Sequence, residues 1–254
     1  MKRKPILSDT AAAMEVHHHS HTPRKKFRHY FFEFFMLFLA VFCGFLAEYF
    51  LEHTIEHQRE EQFIQSMISD LKDDTAKINR VYEYNKLQVN RLDTLTRLLY
   101  SHPTHPDSLA KAYRLYSKAA LNYEMVVFTD RTMSQLKNSG GMRLIRKQSV
   151  SDSIMNYDAR VKSCDLQFSI VKEGWKEAST FSYQLFDLSR VLRRPDTTQK
   201  SFTFITNNPD VLTAYSNRLL MFTGLVRGYT LNIAEQRGTA ERLIAYLQKQ
   251  YDLD

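Results

Sequence analysis

One stretch, Tyr30 to Leu51 (YFFEFFMLFLAVFCGFLAEYFL), limits what this chain can be, because no other segment is both apolar enough and long enough to cross a bilayer. As a helix rising ~1.5 Å per residue, its 22 residues span about 31 Å, which matches a hydrocarbon core of about 30 Å. Glu33 and Glu48 interrupt the run, and a charge at the bilayer centre costs about 3 kcal/mol or more. The two lie about 22 Å apart along a helix. When one sits in a headgroup region the other is close to the opposite one, with fourteen uncharged residues between them.

The flanks set the orientation. Arg24, Lys25, Lys26 and Arg28 precede the span, whereas Glu52, Glu56, Glu60 and Glu61 follow it against a single Arg59. Lys and Arg prefer the cytoplasmic side, so the expected topology is N-terminus in and C-terminus out. In a bacterium this puts residues 52–254 in the periplasm and the span in the inner membrane. A cleaved signal peptide fits less well: Ala47 offers a cleavage position, but Phe45 stands where a second small residue is needed. Phe42 before Cys43 similarly spoils a lipoprotein site.

The 254 residues, 43% of them apolar, suit one anchor and one ordinary soluble domain. Residues 1–51 carry seven Lys/Arg against four Asp/Glu, and residues 52–254 carry 28 against 24, a balance too weak to imply nucleic acid. Cys43 lies in the span and Cys164 outside it, so no intrachain disulfide is expected. Residues 1–29 form a basic, His-rich cytoplasmic tail without helical periodicity, expected to be disordered or to lie on the membrane surface. Met14 opens a second plausible start, which would make residues 1–13 an upstream extension; Met1 and Met14 both stay open.

From Gly44 to His102 there is no Pro and no further Gly. Ile64, Ile68, Leu71, Thr75, Ile78, Tyr82, Asn85, Val89, Leu92, Thr96 and Leu99 recur at steps of three and four, which predicts one long amphipathic helix over about 52–100. Two prolines in SHPTHPD (101–107) force a turn. A second helix, about 108–138, is expected to bury Leu109, Tyr113, Tyr116, Ala120, Tyr123 and Val127 and to end at Gly140 and Gly141. A third, about 149–194, opens with a Ser149/Asp152 capping pair and carries Val150, Ile154, Tyr157, Val161, Cys164, Phe168, Val171, Trp175, Ala178, Ser182, Leu185 and Leu192 on one stripe before Pro195. SFTFIT could make a brief extended segment. The fourth helix, about 209–251, starts at Asn208 and Pro209 and buries Leu212, Tyr215, Leu219, Phe222, Val226, Tyr229, Ile233, Ala240, Ile244 and Leu247. Together these predict an all-α chain in which a transmembrane helix (30–51) continues into an antiparallel four-helix-bundle-like domain (52–254).

MEVHHHSH, the basic RKKFRHYF, the span ending FLAVFCGFLAEYFLEH and the internal TMSQLKNSGGMRLI resemble a family of uncharacterised bacterial single-pass inner-membrane proteins that bear a domain of unknown function. The likeness covers most of the chain from Met14 and is sharpest in the anchor and in LKNSGG; residues 1–13 depart from it. It implies the same topology and an all-helical outer domain, and brings no catalytic residue with it.

Few residues point to chemistry. His53, Glu56 and His57 spell H-x-x-E-H, the inverted zinc-peptidase signature, in which two histidines on one helical face bind zinc and the glutamate acts as base. Such enzymes also need a third ligand, a cleft and an open coordination position, so a hydrated interfacial helix face is the default. His17, His18, His19 and His21 could hold zinc, copper or nickel weakly, without the fixed spacing of a stable site. Arg143, Arg146 and Lys147, and separately Arg190, Arg193 and Arg194, suit solvated helix ends. No phosphate loop, G-x-S-x-G or dinucleotide fingerprint is present.

The expectation is therefore a non-enzymatic single-pass membrane protein presenting a periplasmic helical interaction or sensor-like scaffold domain. No catalytic, cofactor-binding or metal-ligating residue is assigned, and no cofactor. Its expected partners are the membrane, an envelope protein of unknown identity, and a second copy of itself through the face Glu33, Leu37, Ala40, Gly44, Ala47 and Glu48, where small residues gather. The alternative is a membrane-tethered zinc hydrolase using His53, Glu56 and His57. About 29 residues on the cytoplasmic side are too few for a signalling domain.

Overall fold

The computed structural model describes residues 27–192 and 202–253. All regular structure there is helical, with α1 at Phe27–Tyr100, α2 at Pro106–Leu115, α3 at Arg131–Asn138, α4 at Gln148–Ser182, α5 at Ser189–Leu192 and α6 at Pro209–Tyr251. Two compact units divide at Thr54 and Ile55, so α1 contributes residues to each. The His17–His21 cluster, Met14, Arg193, Arg194 and Pro195 lie outside the described residues.

In the first unit α1 is apolar over most of its surface, with Glu33 and Glu48 interrupting the run. Its most apolar 18-residue window has a mean hydropathy of 2.2 and none of it is buried in the protein, so by length and composition this helix can cross a membrane. Phe34, Phe38 and Phe42 stack at successive helical turns, with ring centroids 6.4 and 6.0 Å apart.

The second unit is organised by three long helices. Toward the C-terminal end of α1, Asn79, Asp93 and Tyr100 bond in turn to Arg237, Arg227 and Asn217, so α6 runs antiparallel to it. On its other side α6 meets α4, also antiparallel, through Arg160 with Gln236, Gln167 with Asn232, and Glu177 with Arg218. Gly174 makes this approach possible: a Cβ there would stand 2.5 Å from Leu225 Cδ1. Nine of the eleven seam residues expected on α1 are buried, Thr75 and Tyr82 being half-buried. On α6 every expected seam residue is buried except the half-buried Ile244.

The second predicted helix is not continuous. Helix α2 gives way to a π turn at Tyr116–Ala120, residues 121–130 carry no helix, and α3 is a separate eight-residue piece. The break coincides with MVVFT, a β-branched and aromatic run that favours extended backbone, and it leaves Val127 67% exposed instead of buried. A left-handed Gly140 (φ 69°) follows α3, as the Gly-Gly pair suggested.

The third helix also stops earlier than expected, at Ser182. A straight helix would point Leu185 and Phe186 about 100° apart. The turn instead buries both, with Phe186 stacked on Tyr116 at 4.1 Å and edge-on to Tyr113 and Phe204. Asp187 then accepts from the Ser189 N–H and hydroxyl, opening the short α5. No capping pair opens α4, because its N-cap is Lys147 and Asp152 accepts from Gln148. Residues 202–206 form no strand; Phe202 and Phe204 pack on Tyr113. Asn208 does cap α6, accepting from the Asp210 N–H at 2.9 Å.

Candidate functional site

Buried backbone needs hydrogen-bond partners, and residues 121–130, here called the strap, have no helical ladder to supply them. The N–H and C=O of Glu124 both bond the Asn85 side chain, at 3.4 and 3.1 Å. The Val126 N–H donates to the Tyr229 hydroxyl (3.0 Å), the Thr129 N–H to Asp74 (2.7 Å) and, just past the strap, the Thr132 N–H to Asp70 (3.0 Å). Asn85 and Asp74 are eleven residues apart on α1, about 16 Å of rise. Glu124 and Thr129 cover that distance in five steps, about 3.3 Å each, which is the rise of a β-strand. The strap is therefore stretched along α1, antiparallel to it.

The same aspartates enter a polar layer that cuts the core in two. One apolar cluster includes Ile64, Leu71, Ile154 and Leu243, the other Ile78, Leu92, Phe222 and Ile233. Between them Tyr157 donates to Asp74 (2.7 Å), Gln236 donates to the Tyr157 carbonyl (3.4 Å) and Arg160 donates to Gln236 (3.2 Å). Burial pushes the Asp74 carboxyl above its usual range despite these donors. For Asp70, hydrogen bonds from Thr132 and Arg131 outweigh burial and hold the carboxyl below that range. Asp158 behaves alike: burial raises it, but the Lys137 and Lys162 ammonium groups, at 2.6 and 3.1 Å, lower it by more.

A cavity of about 410 Å3 opens here, walled by α1, the strap, α3 and α4. Its apolar surface comes from Met67, Leu71, Met133 and Val161, and its polar groups include five aspartates (70, 74, 130, 158, 165) against two lysines (137, 162). Ser134 also lines it, but the Ser134 hydroxyl donates to Asp130 and the Lys137 ammonium sits on Asp158. A nucleophile facing a free base is thus not formed by this pair. What the cavity offers is an apolar floor, a negative rim and strap backbone, which suit binding.

The sequence-derived candidates lie elsewhere. The His53 ring stacks on Tyr49 with centroids 6.0 Å apart. Glu56 lies 4.0 Å from the Arg146 guanidinium, and His57 stands 3.8 and 3.5 Å from Glu60 and Glu61. Glu60, 2% exposed, accepts from the Arg146 N–H (2.9 Å) and the Tyr251 hydroxyl (2.5 Å), tying the start of the second unit to the end of α6. Lys147 bonds the Gln250 carbonyl and lies over the Tyr251 ring. Arg146 and Lys147 are thus committed to internal contacts, and Arg190 pairs with Asp187. Cys164 is buried, which pushes its thiol up to about 11. Among the described residues no group of three or more His, Cys, Asp or Glu side chains is arranged to hold a metal ion.

Asp70, Asp74 and Asp158 were not singled out from the sequence. Their signal was present: Asp70 and Asp74 are four apart on a helix, within the face that also carries Met67, Leu71 and Ile78, where a solvated acid does not belong. Comparison with protein-family models, curated proteins and solved structures finds no match to this chain.

Proposed function

We propose that this is a non-enzymatic, single-pass membrane protein that holds a helical interaction or sensor-like scaffold domain outside the cytoplasm of a bacterium. The observation that carries this reading is the contrast within α1: an apolar window with none of its surface buried, then a one-sided seam buried in a separately packed unit. A soluble protein rarely exposes so large an apolar surface. The excess of Lys and Arg before the span and of Glu after it supports N-in, C-out topology across the inner membrane. The resemblance seen in the anchor and in LKNSGG points the same way. In the outer unit the fourth leg of a bundle-like arrangement is built from α2, the strap and α3.

Self-association through Ala40, Gly44 and Ala47 belongs to this proposal, since small residues let membrane helices approach closely. Gly44→Ile should then weaken association in a membrane two-hybrid assay. Topology is tested by reporters fused after Asp254: a reporter active only outside the cytoplasm is expected. Activity only of a cytoplasm-dependent reporter would remove the proposal.

A further inference from the structure

The strap carries a second, unused edge. Along extended backbone, successive N–H and C=O groups point to opposite sides. Over residues 124–127 the groups of Glu124 and the N–H of Val126 turn to Asn85 and Tyr229, and those of Met125 and Val127 take no part in these bonds; the alternation ends before Thr129, whose N–H turns inward to Asp74. Among the described residues no hydrogen bond reaches the backbone of Met125 or Val127. Both side chains are also exposed, at 39% and 67%. An unpaired strand edge of this kind is a template for another strand.

What lies beside that edge says what kind of strand would fit. Met125 and Val127 border the 410 Å3 cavity, whose far wall on α4 presents Val161 and Asp165. Burial pushes the Asp165 carboxyl upward, and among the described residues no ion pair or side-chain hydrogen bond holds it. Lys137 and Lys162 are both spent on Asp158. Arg131 sits on Asp70 and Lys77 beside Asp74, so the rim carboxylates without an ion pair among the described residues are Asp130 and Asp165, above an apolar floor.

We infer that the groove between the Met125–Val127 edge and α4 takes up an extended peptide from another protein, added as a β-strand to the strap, with an alternation of apolar and basic side chains. Backbone pairing with Met125 and Val127 supplies the docking, as in other strand-addition complexes. The apolar side chains enter against Met67, Met133 and Val161, and a lysine or arginine meets Asp165 and Asp130. This inference rests on the interaction-domain reading and names the class of partner for it.

The test uses the full chain in detergent micelles and a blocked, fluorescently labelled Val-Lys-Val-Lys-Val peptide, followed by anisotropy. Saturable binding is expected, about tenfold or more weaker when alternate amides of the peptide are N-methylated, because two backbone hydrogen bonds are then lost. Replacing the lysines by glutamates should abolish it. Val127→Pro removes one N–H that no group among the described residues uses and should weaken binding about threefold, the loss of one backbone hydrogen bond, with an unchanged circular dichroism spectrum. Binding equally well after N-methylation, or equal competition by lysine amide, would overturn strand addition in favour of a small-cation pocket. Absence of binding by the unmodified peptide would overturn the inference while leaving the topology result untouched. An inverted topology would sink the membrane reading without altering binding in micelles.

Discussion

Helix α6 and the strap both lie on the core of the second unit, yet their backbone groups are satisfied by different routes. Over 43 residues α6 uses its own i−4 carbonyls, so ten of its fourteen buried residues can be aliphatic or aromatic. Its buried hydroxyls, Ser216, Thr223 and Thr230, return to carbonyls of the same helix at 2.8, 2.6 and 2.7 Å. The strap has no internal ladder and depends on Asn85, Asp74 and Tyr229, which belong to α1 and α6. Burying charged and polar groups on α1 is costly in isolation. Here it follows from placing an extended segment beside a helix.

Substitutions should separate the two regimes. Ile233, 0% exposed, packs in the larger apolar cluster with Ile78, Leu92 and Phe222. Ile233→Ala is expected to cost about 4 kcal/mol in denaturant unfolding followed by circular dichroism. Asp74→Ala leaves the Thr129 N–H and the Tyr157 hydroxyl without an acceptor, and about 3 kcal/mol is expected. The distinction lies in rescue. Adding Tyr157→Phe to Asp74→Ala should restore about 1 kcal/mol by removing an orphaned hydroxyl, whereas no second change at a distance should rescue Ile233→Ala. A cost below about 1 kcal/mol for Asp74→Ala would show that the strap does not depend on α1 as described.

Acid should act on the strap's surroundings more than on α6. The Asp158 carboxyl is held below its usual range in the fold, so its contribution to stability is present above the unfolded value of roughly 3.9 and is lost as pH falls through that value toward the folded one. Asp70 behaves in the same direction. Asp74 opposes them: its raised carboxyl costs stability at neutral pH and relieves that cost as pH falls toward about 3.9. Thermal melts between pH 6 and 3 should therefore show a shallower acid loss for Asp158→Asn than for the wild type, and a steeper one for Asp74→Asn. Parallel curves for all three would remove these carboxylates from the acid response.

The long helices were legible because their seams repeat at three and four residues over many turns, and the apolar anchor because no other run matches it. The strap was not, because Tyr116, Ala120, Tyr123 and Val127 continue a helical spacing by coincidence while MVVFT argues locally for extended backbone. Periodicity and β-propensity conflict there, and the decision belongs to residues far away: Asn85 on α1 and Tyr229 on α6, which no local window includes. The end of α4 was hidden for a related reason. Leu185 keeps the seam spacing, but the stacking of Phe186 on Tyr116 draws the chain out of the helix. The candidate site inherits this asymmetry, since its α1 and α4 walls lie on the regular long helices and its other two walls are the strap and the short α3 that follows it.

The smallest expected effect falls on two neighbouring residues of one type. Val126 is 1% exposed and Val127 67% exposed, as successive side chains of an extended segment against a core should be. Val→Thr keeps the shape and replaces one methyl by a hydroxyl, so it reads the polarity of the surroundings and little else. Val126→Thr places that hydroxyl in the apolar cluster holding Val226 and Phe222, and a loss of about 1–2 kcal/mol is expected. Val127→Thr places it in water and should change stability by less than about 0.5 kcal/mol. On a helix the two side chains would be only about 100° apart and could share partial burial, giving comparable losses. Equal effects at the two positions, measured in one denaturant series, would therefore contradict the extended strap itself, and with it the free edge of Met125 and Val127.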